Sequence, residues 1–111
     1  MHILIVNELD HDVVVTVVEH SPLSIEFMIS MGRVPIPVGY VSRRETLEPG
    51  QIFGMFNIPK NARPSMRQRN MGGPVSIFRK RGTAKDGSLY VELTLKPKNP
   101  DAPPPSGATR G

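Results

Sequence analysis

The apolar positions of the chain group into short runs that have the two-residue period of β-strands. The most pronounced run spans residues 13–18, where five valines and one threonine are consecutive. β-Branched side chains are restricted in χ1, which disfavours a helix and favours a pleated strand. Because side chains alternate along a strand, both faces of this one are apolar, and we expect both to be covered. One cover is the core of the domain, and the other is predicted to be a long loop or a neighbouring chain.

Further segments have strand character and are separated by turn signals. They are residues 3–6, 25–30, 34–41, 51–56, 75–78 and 89–96. The last is the clearest, since its apolar residues alternate strictly with polar ones. In the segment 34–41, Pro35 and Pro37 lack the donor that a central strand needs, which predicts an edge strand or an extended crossover. The first strand and the valine-rich strand are joined by a short link, and we expect them to pair as an antiparallel hairpin that places His2 opposite His20.

The strand count and the turn spacing together predict the fold class. No segment has a sustained helical period, so the chain is expected to be all-β with six or seven strands. A small antiparallel β-sandwich is favoured over a small barrel. A first strand ending in Asn, then a valine-rich strand, then Leu-Glu-Pro-Gly-Gln before another strand is similar to Ig-like and jelly-roll modules. The sandwich is assigned to residues 1–96, and the Pro-rich residues 97–111 are predicted to form an extended tail or arm.

The charges of the chain are divided unevenly along it. The formal net charge is +4, yet residues 49–85 contain eight basic residues and no acid. Residues 57–74, the longest irregular stretch, fall in this segment and are predicted to form a long basic loop, which in a compact domain is usually functional. The residues expected to contact a protein partner or nucleic acid are Lys60, Arg63, Met66, Arg67, Arg69, Met71, Arg79, Lys80 and Arg81.

The types of side chain in this segment leave two kinds of partner open. Arginines beside Asn, Ser and Gln are typical of phosphate contacts, whereas Arg together with Met is typical of protein interfaces. We interpret Met66 and Met71 as contact residues rather than core. Phe53, Phe56 and Phe78 are candidate stacking platforms for single-stranded bases. Because the chain has only four phenylalanines, we expect these three to lie in the core instead.

No catalytic or metal-binding signature accompanies these features. The sequence contains no cysteine, no nucleophile elbow and no phosphate-binding loop, and its paired acids lie in connections without a base. In the predicted hairpin, His2 and His20 lie at one end and His11 at the other, so the three do not converge on one metal ion. We therefore expect no enzyme, no metal and no cofactor.

Two functional hypotheses follow. The sequence has no secretory n-region and no run of the ~20 apolar residues that span a bilayer, so a cytoplasmic assembly or a virion is the expected location, without a membrane. The first hypothesis is a non-enzymatic structural or interaction module. It would pack into a larger protein assembly, as a minor or decorating protein of a virion shell does, and would be oligomeric or part of a complex. The alternative is a single-stranded nucleic-acid-binding β-barrel that uses the basic loop 60–70.

Overall fold

The chain folds into two four-stranded β-sheets. The structure is a computed structural model, and it describes residues 1–32, 40–69, 71 and 75–98. The strands in chain order are β1 (His2–Asn7), β2 (Val13–Ser21), β3 (Ser24–Ser30), β4 (Tyr40–Leu47), β5 (Ile52–Met55), β6 (Arg63–Arg69), β7 (Val75–Thr83) and β8 (Leu89–Pro97). Sheet A has the order β5-β1-β8-β7, and sheet B has the order β4-β2-β3-β6. The predicted all-β class and small β-sandwich are confirmed.

One apolar core lies between the sheets. Alternate residues of each central strand point into it, so that Ile3 and Ile5 of β1 face Phe27 and Ile29 of β3, and all are buried. The alternation predicted for residues 89–96 is confirmed for most of β8, whereas in β3 the residues of the second face, such as Glu26 and Ser30, are buried as well. Leu89, at the start of β8, differs because it is exposed.

Both faces of the valine run are buried within the single chain. Val13, Val15 and Val17 belong to the core between the sheets. On the outer face of sheet B, Val18 packs with Met28 and Val41. The expected coverage of both faces is thus confirmed, and it does not require a neighbouring chain.

The predicted hairpin between the first two strands is wrong. β1 pairs with β5 and β8, whereas β2 pairs with β3 and β4, so the short connection carries the chain from sheet A to sheet B. The buried side chain of Asn7 holds this crossing. Its Nδ2 donates to the carbonyl oxygens of His11 at 3.0 Å and Leu47 at 2.9 Å, and its Oδ1 accepts from the Leu9 N–H at 3.0 Å. Because β1 and β2 lie in different sheets, His2 and His20 are not cross-strand neighbours.

The strand count and the strand directions also differ from the prediction. Eight strands are present in the described residues, and the pairs β1–β8 and β3–β6 are parallel. The additional strand is β6, so the predicted basic loop is wrong over this segment. Its alternation is hidden because an edge strand exposes most of its side chains, and only Met66 of β6 is half-buried. Pro64 is compatible with this position, since proline is confined to edge strands.

Two predictions fall mainly outside the described residues. The Pro35 and Pro37 segment lies outside them except for its last two residues, which belong to β4. The tail predicted for residues 97–111 is described only at its first two residues, of which Pro97 ends β8.

Candidate interaction surfaces

Most of the predicted contact residues lie on β6 and β7, which form the same edge of the sandwich. β6 is an edge strand of sheet B and β7 an edge strand of sheet A. The two strands face each other across a cleft that is lined by Met66 of β6 and Arg79 of β7. At the opposite edge, β4 and β5 are linked by Arg43, whose Nη1 donates to the Gly54 carbonyl oxygen at 2.7 Å.

The β6 arginines lie on the outer face of sheet B. The strand register places them beside outward-facing residues of β3, with Arg67 next to Met28 and Arg69 next to Ser30. Arg67 is part of an ion pair, because its Nε lies 2.9 Å from Oε2 of Glu26. Within the described residues, Arg63 and Arg69 have no such acidic partner.

The three consecutive basic residues of β7 are divided between two faces. Arg79 and Arg81 pair with Leu93 and Val91, whose side chains point between the sheets, whereas Lys80 pairs with the outward-facing Glu92. These three residues therefore do not form one continuous surface with the β6 arginines. Alternation along the strand separates side chains that are adjacent in sequence.

The other predicted contact residues have different environments. Met71 is 7% exposed and belongs to the core, so its interpretation as a surface contact is wrong. Met66 is half-buried, packs against the core and also lines the cleft. Lys60 is exposed in the turn that precedes β6.

The outer face of sheet A carries an apolar surface that the sequence did not indicate. One cross-strand row contains Ile52, Val6, Thr94 and Phe78. The side chains of Ile52, Phe56 and Phe78 are 59%, 60% and 54% exposed. The core position expected for Phe53 is confirmed, but for Phe56 and Phe78 it is wrong. The sequence of β7 does not indicate which of its side chains points into the core, because Ile77 and Phe78 are adjacent and either could be the inward residue.

A cleft opens between the sheets at the β6–β7 edge. Its larger part has a volume of about 490 Å³ and extends from the edge strands to Ile3 and Phe27 in the core. A second part of about 440 Å³ shares Met66, Arg79 and Leu93 with the first. The cleft therefore has an apolar floor and a basic rim.

The histidines occupy separate local environments. His2 packs edge-to-face on Phe56 with ring centroids 5.3 Å apart, and His20 Nε2 lies 3.0 Å from Glu26 Oε1. His11 Nδ1 lies 3.0 Å from Asp10 Oδ1, and this hydrogen bond holds the pKa of Asp10 below its ordinary value. In the described part of the chain, no three His, Cys, Asp or Glu side chains are grouped to hold a metal ion.

Comparison with known proteins gives no relative. The chain matches no protein-family model, no curated protein and no solved structure. No helix among the described residues is long and apolar enough to cross a membrane. The function therefore has to be inferred from the surfaces of this β-sandwich itself.

Proposed function

We propose that the protein is a non-enzymatic interaction module that packs into a larger protein assembly through the outer face of sheet A. The observation that carries this proposal is the cross-strand row of Ile52, Val6, Thr94 and Phe78, in which three of the four side chains are apolar and the two at the ends are exposed. Single exposed apolar residues are normal, whereas a contiguous exposed group marks an interaction site. Leu4 and Val6 are half-buried, and the Leu4 and Phe56 side chains both lie beside Gly54 on this face.

The contrast between the two outer faces supports the proposal. On sheet B, Val18 and Met28 are buried, and Thr16 accepts a hydrogen bond from Arg44 Nε at 3.2 Å. On sheet A, Ile52 and Phe78 of the corresponding face are exposed, and Leu4 and Val6 are only half-buried. Each Å² of apolar surface that a partner removes from water contributes about 25 cal/mol to the free energy of association. Covering the outer face of sheet A would therefore stabilise a complex more than covering the outer face of sheet B.

The preferred partner is another protein chain, either a further copy of this one or a neighbour in the assembly. A second sheet can pack on an apolar sheet face at about 10 Å, as it does in a β-sandwich. The border of the face carries both signs of charge, because Lys96 Nζ lies 3.6 Å from Glu8 Oε1 and Lys80 is the cross-strand partner of Glu92. We infer a partner surface with an apolar centre and a polar border. A minor or decorating protein of a virion shell is an example of such a module.

Sedimentation of the pure chain tests self-association. We expect the wild type to show masses above the 12.3 kDa of the monomer as its concentration rises. Phe78→Glu should return it to the monomer, because a charge placed in an apolar interface opposes association. Leu23→Glu is the matched control, since Leu23 is an exposed apolar residue in the β2–β3 turn, away from this face.

Circular dichroism must show that both variants retain the β-fold. A wild type that stays monomeric at ~1 mM and copurifies with no partner chain would contradict the proposal. So would an equal effect of the two substitutions.

The alternative function, binding of single-stranded nucleic acid, is favoured by the arginine row of β6. Arg63 and Arg69 are exposed cations without an ion pair in the described residues. However, the exposed Phe56 and Phe78 lie on the opposite side of the sandwich from the β6 arginines. A short single-stranded nucleic acid therefore cannot stack on these rings and contact the arginines at the same time. This separation is the reason why we prefer the assembly module.

Salt-dependent filter binding with a single-stranded oligonucleotide distinguishes the alternative. If the arginines bind phosphates, the triple variant Arg63→Ala, Arg67→Ala and Arg69→Ala should reduce the slope of log K against log salt by about 2, since each phosphate contact contributes about 0.7. The control is Lys85→Ala, Lys96→Ala and Lys98→Ala, which removes the same charge away from β6. We expect the two triple variants to have equal slopes. A loss confined to the arginine variant would support nucleic-acid binding instead.

A further inference from the structure

The cleft between β6 and β7 is a candidate site that is separate from the outer face of sheet A. It is open at the edge because β6 and β7 belong to different sheets and do not pair. Its volume of about 490 Å³ falls within the range of small-molecule sites, roughly 300–1,000 Å³. It extends past the edge strands to Ile3 and Phe27, so an occupant would contact the core of the domain.

The lining of the cleft combines an apolar floor with cations of one strand. Phe27, Met66 and Leu93 provide apolar surface, and Arg79 and Arg81 point into the cleft from β7. No Asp or Glu lines it in the described part of the chain. The two arginines make no ion pair or side-chain hydrogen bond within the described residues. The electrostatic complement of this cleft is therefore an anion.

We propose that the cleft binds a small amphipathic anion, a free alkyl carboxylate whose chain lies on the apolar floor and whose head group is held by Arg79 and Arg81. The planar guanidinium groups would donate charge-assisted hydrogen bonds to the carboxylate oxygens. The apolar floor would bury the alkyl chain, which a bare inorganic anion could not use. This proposal does not depend on the assembly function, because it uses a different surface.

The depth of the cleft favours this occupant over an acidic peptide. A peptide strand would bind along the exposed backbone of β7 by strand addition, and its affinity would come mainly from main-chain hydrogen bonds. Such a strand would remain at the edge of sheet A, away from Ile3 and Phe27. An alkyl chain can enter between the sheets and contact both.

Isothermal titration calorimetry of the full chain with octanoate, decanoate and dodecanoate, each below its micelle concentration, tests the proposal. Because each buried methylene contributes about 0.8 kcal/mol, the dissociation constant should tighten about fourfold per added methylene until the cleft is full. The double variant Arg79→Gln and Arg81→Gln should weaken decanoate binding roughly 10- to 100-fold, since it removes the charge-assisted hydrogen bonds.

Lys80→Gln is the matched control, because Lys80 lies between the two arginines in sequence but on the other face of β7. It should leave the affinity unchanged. Equal losses in the control and the double variant would overturn the proposal, since they would indicate attraction by net charge alone. Decanol should bind more weakly than decanoate, and equal affinities would also overturn it.

Other occupants of the cleft give different results. If the wild type binds none of the carboxylates, Arg79 and Arg81 serve only to prevent the edge strand from pairing with another chain, as inward-pointing charges do. Binding to anionic phospholipid vesicles without binding to monomeric decanoate would assign the site to a membrane surface. Binding of an extended acidic peptide would show that the β6–β7 edge is a protein-binding site. Dimers that form without ligand and are lost in the double variant would show the same. Each of these results would overturn the proposal.

Discussion

Replacing Phe53 by alanine should lower the free energy of unfolding by about 4 kcal/mol, a large part of the stability of a domain of this size. The Phe53 side chain is fully buried and packs edge-to-face on Phe27, with ring centroids 6.4 Å apart. On its other side, the Arg43 guanidinium carbon lies 4.2 Å from the centre of the ring. The substitution therefore removes core volume, an aromatic pair and a cation–π contact. Urea unfolding followed by circular dichroism measures the loss.

Phe56→Ala is the matched control for this experiment. Phe56 belongs to the same segment of the chain, but its side chain is exposed, packs edge-to-face on the His2 ring and lies over Gly54. At a dilution where the chain is monomeric, this substitution should cost less than about 1 kcal/mol. If the two variants were equally destabilised, the assignment of Phe53 to the core and Phe56 to the surface would be incorrect.

The strands that could be predicted from the sequence are those with several buried side chains. β8 alternates between apolar and polar positions because one face meets the core, and β2 is apolar at almost every position because both of its faces are buried. β6 could not be found in this way. An edge strand is exposed along most of its length, so the run of Arg, Ser and Gln in β6 has the composition of a loop.

The pairing of the strands was less predictable than their existence. A short link between two strands favours a hairpin, yet the link after Asn7 connects the two sheets instead. The partners of β1 are β5 and β8, which are distant in sequence. Local sequence does not record such long-range partners, and a parallel pair such as β1–β8 has no turn that could mark it.

The candidate surfaces were predicted from composition, and composition does not determine which way a side chain points. Arg79, Lys80 and Arg81 form one basic run in sequence but divide between the cleft and the outer face of sheet A. The apolar face that most favours association was likewise missed, because Phe56 and Phe78 were assigned to the core. The valine run was expected to need a second cover from a loop or another chain. Since it is buried within the chain, the argument for assembly now rests on sheet A.

Asn7→Ala should lower the free energy of unfolding by about 3 kcal/mol, although Asn7 is polar and lies at the end of a strand. Its buried side chain makes three hydrogen bonds, to the carbonyl oxygens of His11 and Leu47 and from the N–H of Leu9. Alanine would leave these backbone groups without a partner. Each hydrogen bond contributes about 1 kcal/mol net, and a buried group that loses its partner costs at least as much.

The expected loss has a structural as well as an energetic component, because these bonds join the end of β1 in sheet A to the end of β4 in sheet B. Hydrogen exchange should therefore show faster exchange at the Leu9 N–H in Asn7→Ala than in the wild type. Asn61→Ala is the control, since Asn61 is exposed in the turn before β6, and its substitution should change the stability by less than about 0.5 kcal/mol. An Asn7 variant as stable as this control would show that water can replace the three bonds, and the crossing between the sheets would then depend on the apolar core alone.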